Sequence, residues 1–498
     1  MNNTKPDPSL IDGKYLIAGK VGKGTSSDVF CVNHPSGPLA LKLLRKSILQ
    51  SQQAATLEDF KHEFSLLKDL NHPNIARILD FGYDATLNRH YFTTELIDGT
   101  NIFDATAEKN VMAILELMVQ ALRALEYIHS RHIFHFDLKA ANLLVTQKSP
   151  STVKMIDFGL ASMEPAEKMI GTPSYMAPEI INREHPDGRA DLYALGVLFY
   201  LCLTRENPFR GAGIQETLKN HQMLEPPPPS KFNKKIPSYL DRILLRLLEK
   251  NPANRYQRAW DALRDINRHT GNQFPTETGE TLLSYIPHEG QFIGRLEEQI
   301  LLKELFQETL RKEDGFKIAL ILGKKGSGKT RLLREMKYHS QLQQIPVLWG
   351  TVTEPSSFSH FLEALETEPK SSPQPRLFIL DNLEGLEETD EKTKKLIGII
   401  STLFYLRSAS PQAPLLILLG AETNFQKTSV WKLLEGFIGK EILLKPFSKK
   451  DFEEYLITFT GLKKPPPLLT EGLYKRTGGN PLFVTEVLKS LVLQGALF

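Results

Sequence analysis

The segment HFDLKAANLL at His135–Leu144, followed by MIDFGLA at Met155–Ala161, restricts this chain more than any other stretch. It sets one carboxylate, Asp137, where a hydroxyl could be deprotonated, and a second, Asp157, where a divalent cation could be held. Asn142 lies between them as a further oxygen ligand. Taken singly, each is an ordinary turn or cap residue, because Asp and Asn side chains hydrogen-bond nearby backbone. Taken together, at this spacing, they point to a phosphoryl-transfer site.

At 498 residues the chain exceeds what one hydrophobic core serves, so two or three domains are expected. A hydrophobic content of 41% with 24% charged residues is that of an ordinary soluble protein. The net charge of +3 gives no case for a nucleic-acid partner. Cys31 and Cys202 show no metal-ligand spacing and no disulfide framework; both read as buried small residues in a reducing, cytoplasmic setting. The longest apolar run, Leu192–Leu203, falls short of the roughly 20 residues that span a bilayer. It reads as a buried helix, and no membrane span is expected. Residues 1–12 lack an apolar signal core and read as a disordered lead-in.

Between Tyr15 and Arg45, β-rich runs alternate with glycine turns, as in a small antiparallel sheet. Leu57–Leu70 repeats apolar residues at helical spacing, Tyr91–Ile97 reads as a strand, and Val111–His129 as a long amphipathic helix. Asp191–Leu203 and Leu240–Leu248 are helical, and Glu225–Phe232 is a stiff proline loop. The texture changes over 270–290, an interdomain linker by composition, and a second unit starts near Phe292. Its runs Lys317–Gly323, Arg376–Asn382 and Pro414–Gly420 are short, almost wholly apolar and separated by helical segments. That is the signature of a parallel sheet buried on both faces.

Gly22 and Gly24 close the first strand, where backbone could approach phosphates that a Cβ would crowd. Lys42 alternates with apolar neighbours in a strand and can pair the α- and β-phosphates of ATP. Glu63, on the following helix, is its natural charge-assisted partner. In order, Gly22–Gly24, Lys42, Glu63, His135–Asp137, Lys139, Asn142, Asp157–Gly159 and Ala177–Glu179 resemble the eukaryotic-type protein kinase family, over residues 13–269. The resemblance implies a bilobal α+β kinase fold, ATP and Mg²⁺ as cofactors, and a Ser/Thr-containing protein as substrate. It implies that Asp137 orients and deprotonates the substrate hydroxyl, that Lys139 steadies the γ-phosphate, and that Asn142 and Asp157 hold Mg²⁺. Glu95 to Ile97 would form the adenine-binding hinge, with Thr94 guarding the deep pocket. Glu179 would pair with Arg255, Asp191 would brace the catalytic loop, and Thr172 would contact Asp137 and Lys139. Ser27 replaces a glycine of the family pattern, and Phe136 replaces an arginine that in the family grips a phosphorylated activation loop. With only Ser162 as a hydroxyl between Gly159 and Gly171, control by another domain or partner is expected instead.

GKKGSGKT at Gly323–Thr330 is a complete Walker A motif between an apolar strand and a helix. Gly323 and Gly328 bound a loop whose backbone N–H groups receive phosphates, Lys329 reaches the β/γ region, and Thr330 offers its hydroxyl to Mg²⁺. Asp381 ends the next apolar strand as the expected Walker B carboxylate. Asn382 follows where many such ATPases place a second acid, and an amide cannot serve as a general base. FIGRLEEQ at Phe292–Gln299, these motifs and TGGNPLF at Thr477–Phe483 resemble the AAA-related STAND class of signalling ATPases, over 291–498. The resemblance implies an α/β P-loop NTPase with a parallel sheet. It also implies a GR segment and a GNP segment that contact nucleotide from opposite sides, and self-assembly on activation. Thr423 stands where relatives carry arginine, so a switch or slow ATPase is expected. The unit reads either as incomplete at its C-terminus, where a regulatory protein or sensor region would act, or as a natural short form. The leading reading is a Ser/Thr kinase regulated by a nucleotide-binding switch domain. The alternatives are an ATP-binding scaffold whose second unit drives assembly, and a protein whose main output is ATP hydrolysis.

Overall fold

The computed structural model describes residues 10–494 apart from 13, 24–26, 35–36, 46–63, 65–66, 69, 85, 159–170, 277, 279–280, 282–292, 312–314, 368–375, 410–413 and 461–464. The expected helix over Leu57–Leu70, the glycine Gly24 and the candidate Glu63 thus fall largely or wholly outside the described residues. Packing groups the described residues of 18–79 and 93–290 into one compact unit, and those of 1–17, 80–92 and 291–497 into another.

The kinase-like half begins with a six-stranded sheet. Its strands are β1 (Leu10–Ile11), β2 (Tyr15–Lys23), β3 (Ser27–His34), β4 (Gly37–Leu44), β5 (Ile78–Asp84) and β6 (Arg89–Glu95), in the order β1-β2-β3-β4-β6-β5. β3 and β4 pair antiparallel, and Val29 faces Lys42 across them. A second sheet of β7 (Gly99–Asn101), β8 (Leu143–Thr146) and β9 (Val153–Met155) frames the loop that carries Asp137 and Asn142.

Helices follow: α1 (Val111–His129), α2 (Gly188–Thr204), α3 (Ile214–Met223), α4 (Ser238–Leu247) and α5 (Ala259–Thr270). α1 starts where the Asn110 side chain accepts from the Ala113 N–H, satisfying a donor that the first turn leaves free. α2 is buried almost all round, which is why its sequence reads as a continuous apolar run without a polar face. It turns off at Arg205, in the left-handed conformation.

Arg255 and Glu179 lock the helical part. Arg255 is 1% exposed and its five N–H donors are all used. Two go to the Glu179 carboxylate at 2.7 Å each, and three to the carbonyls of Glu249, Arg189 and Lys250. Full satisfaction is what makes a buried ion pair tolerable, and removing one partner strands the other charge. R255A is therefore expected to destabilise the kinase-like half by about 3–5 kcal/mol, read from chemical denaturation.

The second half is built on a five-stranded parallel sheet. β10 (Phe316–Gly323), β11 (Val347–Thr351), β12 (Arg376–Asp381), β13 (Leu415–Ala421) and β14 (Lys440–Leu444) lie in the order β11-β12-β13-β10-β14. Side chains alternate between two apolar layers. Ile318, Leu320, Phe378, Leu380, Ile417 and Leu419 face one, and Ala319, Ile321, Leu377, Ile379, Leu416 and Leu418 the other. Helices α6 (Leu296–Arg311), α7 (Lys329–Leu342), α8 (Pro355–Thr367) and α9 (Glu391–Ala409) accompany this sheet, and α10 (Lys449–Thr460), α11 (Pro467–Thr477) and α12 (Pro481–Leu493) follow it. The apolar runs expected as strands are the three central ones. β11 and β14 were not legible, because edge strands stay partly exposed and carry mixed residues. Among the described residues no helix is long and apolar enough to cross a membrane.

His72 gives the kinase-like half an acid weakness. It is buried, and its Nδ1 accepts from the Asn74 N–H at 3.0 Å, which requires the neutral ring. Burial, aided by Arg131, Lys154 and Arg123, pushes its pKa from 6.5 down to about 3. A depressed folded-state pKa means the unfolded chain binds the extra proton. Stability is thus complete above pH 6.5 and falls as pH drops towards 3. The loss from His72 should reach about 2 kcal/mol at pH 5, and H72N should flatten that part of the stability–pH curve.

Candidate functional sites

The catalytic-loop candidates sit between α1 and β8, on backbone held by a fully buried carboxylate. Asp191, in the first turn of α2, accepts from the N–H groups of His135 (2.9 Å) and Phe136 (2.8 Å), and pairs with His129 Nε2 at 2.9 Å. Phe136 takes φ 57°, a left-handed conformation uncommon for a bulky residue, and these bonds hold it there. The chain then turns so that Asp137 and Lys139 point to the same place. Lys139 Nζ lies 2.5 Å from Asp137 Oδ2 and 3.3 Å from Thr172 Oγ1, and Thr172 Oγ1 donates to Asp137 Oδ1 at 2.6 Å. Asn142 Nδ2 donates to the Asp137 carbonyl at 2.9 Å, fixing the amide so that its oxygen is left to accept. Gly171, φ 105°, brings the segment carrying Thr172 against this loop. A Cβ there would sit 2.6 Å from the Phe136 carbonyl.

Asp157 follows β9 with φ 61°, and its carboxylate lies 3.0 Å from Lys42 Nζ. Burial raises its pKa, but the Lys42 ammonium more than offsets this and holds the carboxyl below its ordinary value. Asp157 is thus one partner of Lys42, and the expected partner Glu63 lies outside the described residues. Gly22 lies at the end of β2, and Glu95 closes β6 just before Ile97. The Glu95 carboxylate accepts from the Arg77 N–H and from Lys154, so its side chain serves local structure, and its backbone N–H donates to the Arg77 carbonyl at 3.1 Å.

Phe136, which takes the place of the family's arginine, is 5% exposed. It packs with Met176, Ala177, Ile180 and Tyr193, and its ring centroid lies 5.7 Å from that of Phe134.

The second site lies between β10 and α7. Lys329, 7% exposed, folds back so that Nζ donates to the carbonyl of Gly323 at 3.0 Å. Gly328 takes φ 96° at the helix start. Thr330 Oγ1 donates to Asp381 Oδ2 at 2.6 Å, joining helix start and strand end, and Asp381 is 1% exposed. The GR and GNP segments reach this loop through its backbone carbonyls. Arg295 donates to the carbonyls of Ser327 (3.0 Å) and Lys445 (2.6 Å), and Asn480 Nδ2 to that of Lys325 (2.9 Å). The Leu482 N–H donates to the Gly326 carbonyl at 3.3 Å. Gly326, φ 78°, has no room for a side chain: a Cβ there would lie 2.5 Å from Leu482 Cβ. These backbone clamps were missed in the sequence, which does not show whether an arginine or asparagine meets a ligand or a carbonyl.

Both sites offer what Mg²⁺ takes, one or two side-chain oxygens beside a place for phosphates. They are Asn142 and Asp157 in the first, and Thr330 and Asp381 in the second. Among the described residues no cluster of three or more His, Cys, Asp or Glu could hold a metal by itself.

A mixed-sheet lobe joined to a helical lobe, with these loops between β4 and β9, is a bilobal kinase-like fold, and a parallel-sheet P-loop-like domain follows it. The family model for the protein kinase domain matches residues 15–269, and that for the AAA ATPase domain matches residues 291–438. The chain belongs to the protein kinase family, with an AAA ATPase domain C-terminal to the kinase domain. It is similar to the serine/threonine-protein kinase Pkn1 of Myxococcus xanthus, 33% identical over 256 residues, 49% of this chain and 36% of that one. It is also similar to the kinase pkn3 of the same organism, 31% identical over 261 residues, 49% of this chain and 47% of that one. PknB of Mycolicibacterium smegmatis is 30% identical over 283 residues, 54% of this chain and 45% of that one. In each case the match spans less than half of the relative's own length.

Lys329 is the buried candidate cation of the second site. With the kinase site silenced by K42M in the same chain, K329A should weaken binding of a fluorescent ATP analogue roughly 10–100-fold, the worth of a charge-assisted contact to phosphate. Fluorescence titration measures it.

Proposed function

We propose that this protein is an ATP- and Mg²⁺-dependent serine/threonine protein kinase whose output is set by its nucleotide-binding C-terminal domain. The kinase domain is taken as 13–269, and the switch domain, of the STAND type, as 291–498. The observation that carries the reading is the convergence of Asp137, Lys139 and Thr172 within hydrogen-bond reach of one another. It is joined by an Asn142 fixed to the same loop and by a Lys42–Asp157 pair.

In this reading a Ser or Thr hydroxyl of the substrate approaches Asp137, which orients it and accepts its proton as the oxygen–γ-phosphorus bond forms and the bond from that phosphorus to the β–γ bridging oxygen breaks, with ADP as the leaving group. The two contacts from Lys139 and Thr172 keep that carboxylate aimed. Lys139 also lies ready to meet charge on the transferred group, and Lys42 the charge on the α- and β-phosphates. Asn142 and Asp157 would hold Mg²⁺, which supplies neutralisation of the phosphate oxygens. Positioning and preorganised charge supply the catalysis, without a covalent enzyme intermediate. In the second domain, Asn382 in place of an acid supports a switch or a slow ATPase over a fast one.

The test is transfer of ³²P from labelled ATP to the protein and to a generic Ser/Thr substrate. D137N should lower transfer by roughly 10²–10⁴-fold while leaving ATP affinity intact. Equal transfer by D137N and wild type would remove Asp137 from the chemistry.

A further inference from the structure

One group of buried charges belongs to neither nucleotide site. Asp80, on β5, has a side chain 13% exposed and accepts four hydrogen bonds. Oδ2 takes Lys14 Nζ at 3.2 Å and Tyr15 OH at 2.8 Å; Oδ1 takes the Phe81 N–H at 2.9 Å and Lys337 Nζ. Asp12 completes the group, accepting from Tyr91 OH at 2.6 Å and pairing with Lys14 at 3.2 Å. Lys337 is 12% exposed. Two lysines and two aspartates cancel in net charge, as charges taken this far out of water must. All of these residues belong to the same compact unit.

The position of Lys337 gives the group its interest. It lies on α7, the helix whose first residues are Lys329 and Thr330, about 12 Å further along the axis. Asp80 lies on β5, whose hairpin partner β6 ends at Glu95, where the 95–97 backbone begins. One helix thus connects the phosphate-binding loop to this ion pair, and one hairpin connects the ion pair to the hinge segment. A helix and a hydrogen-bonded hairpin transmit small displacements as rigid elements. An exposed ion pair could yield without consequence. A buried one cannot part without leaving a charge unpaired, so it is suited to hold two elements together or release them as a unit.

We propose that the Lys337–Asp80 ion pair is the mechanical link by which nucleotide at the P-loop sets kinase output. The inference rests on the switch reading above and assigns that switch a route. The experiment is a double-mutant comparison in the full chain, reading ³²P transfer to a generic Ser/Thr substrate. K329A empties the P-loop, and in the wild-type background it should change transfer by about fivefold or more, the ordinary scale of allosteric coupling. K337M should abolish that difference, K337R should keep it by preserving the charge, and D80N, which removes the pair from the other side, should behave as K337M. Thermal unfolding establishes that each variant is folded. A K329A effect that persists at full size in K337M and D80N overturns the link while leaving the switch reading standing. A K329A with no effect in the wild-type background overturns both.

Discussion

The kinase site depends first on a carboxylate that never meets a ligand. Asp191 is fully buried at the start of α2, where the helix N-terminus favours negative charge. Its two oxygens take the N–H groups of His135 and Phe136 and the ring of His129, tying together the end of α1, the start of α2 and the loop. A left-handed bulky residue costs about 1–2 kcal/mol, and charge-assisted bonds from a fixed acceptor offset that amount. The turn at Phe136 is what lets Asp137 face Thr172 and Lys139. The catalytic geometry is therefore set by the helical lobe beneath it.

The two phosphate sites solve one problem by different backbones. The P-loop is a strand-to-helix turn. Its lysine folds back onto the Gly323 carbonyl, and Thr330 and Asp381 hold each other across the helix and strand. Its outer carbonyls are gripped by Arg295 and Asn480 from segments far apart in sequence. The kinase site draws instead on residues of separate elements, Lys42 from β4, Asp157 from beyond β9 and Asn142 from the loop. A compact motif needs only local folding to form, whereas a dispersed set forms only when the whole domain does.

That contrast explains what could be read from the chain in advance. The Walker motif and the HFDLKAAN–DFG pair were legible because side-chain chemistry and spacing are encoded within a few residues. The same holds for β10, β12 and β13, where burial on both faces leaves nothing but apolar residues. β11 and β14 were not legible, since edge strands such as VLWGT and KEILL carry the mixed composition of surface segments. The partners of Arg295 and Asn480 escaped for another reason. Each is a polar residue in a recognisable segment, but whether it meets a ligand or a backbone carbonyl depends on a fold that joins residues 32 to 155 positions apart. The Asp80 group had no sequence signature at all: its four charges, Asp12, Lys14, Asp80 and Lys337, come from three unrelated segments.

Phe136 shows how a departure from a family pattern acquires a physical meaning. An arginine at that position holds its neighbouring segment through a charge that must be supplied, and the hold can be switched. A phenylalanine holds the same segment by burial against Met176, Ala177 and Ile180, worth about 1.5–3 kcal/mol and present whatever the phosphorylation state. Gly171 and Thr172 add a close backbone approach and a hydrogen bond to the same contact. The catalytic loop and the segment at 171–181 are thus joined by apolar packing, a contact that itself needs no local charge. This packing is in keeping with the proposed placing of the switch in the nucleotide-binding domain.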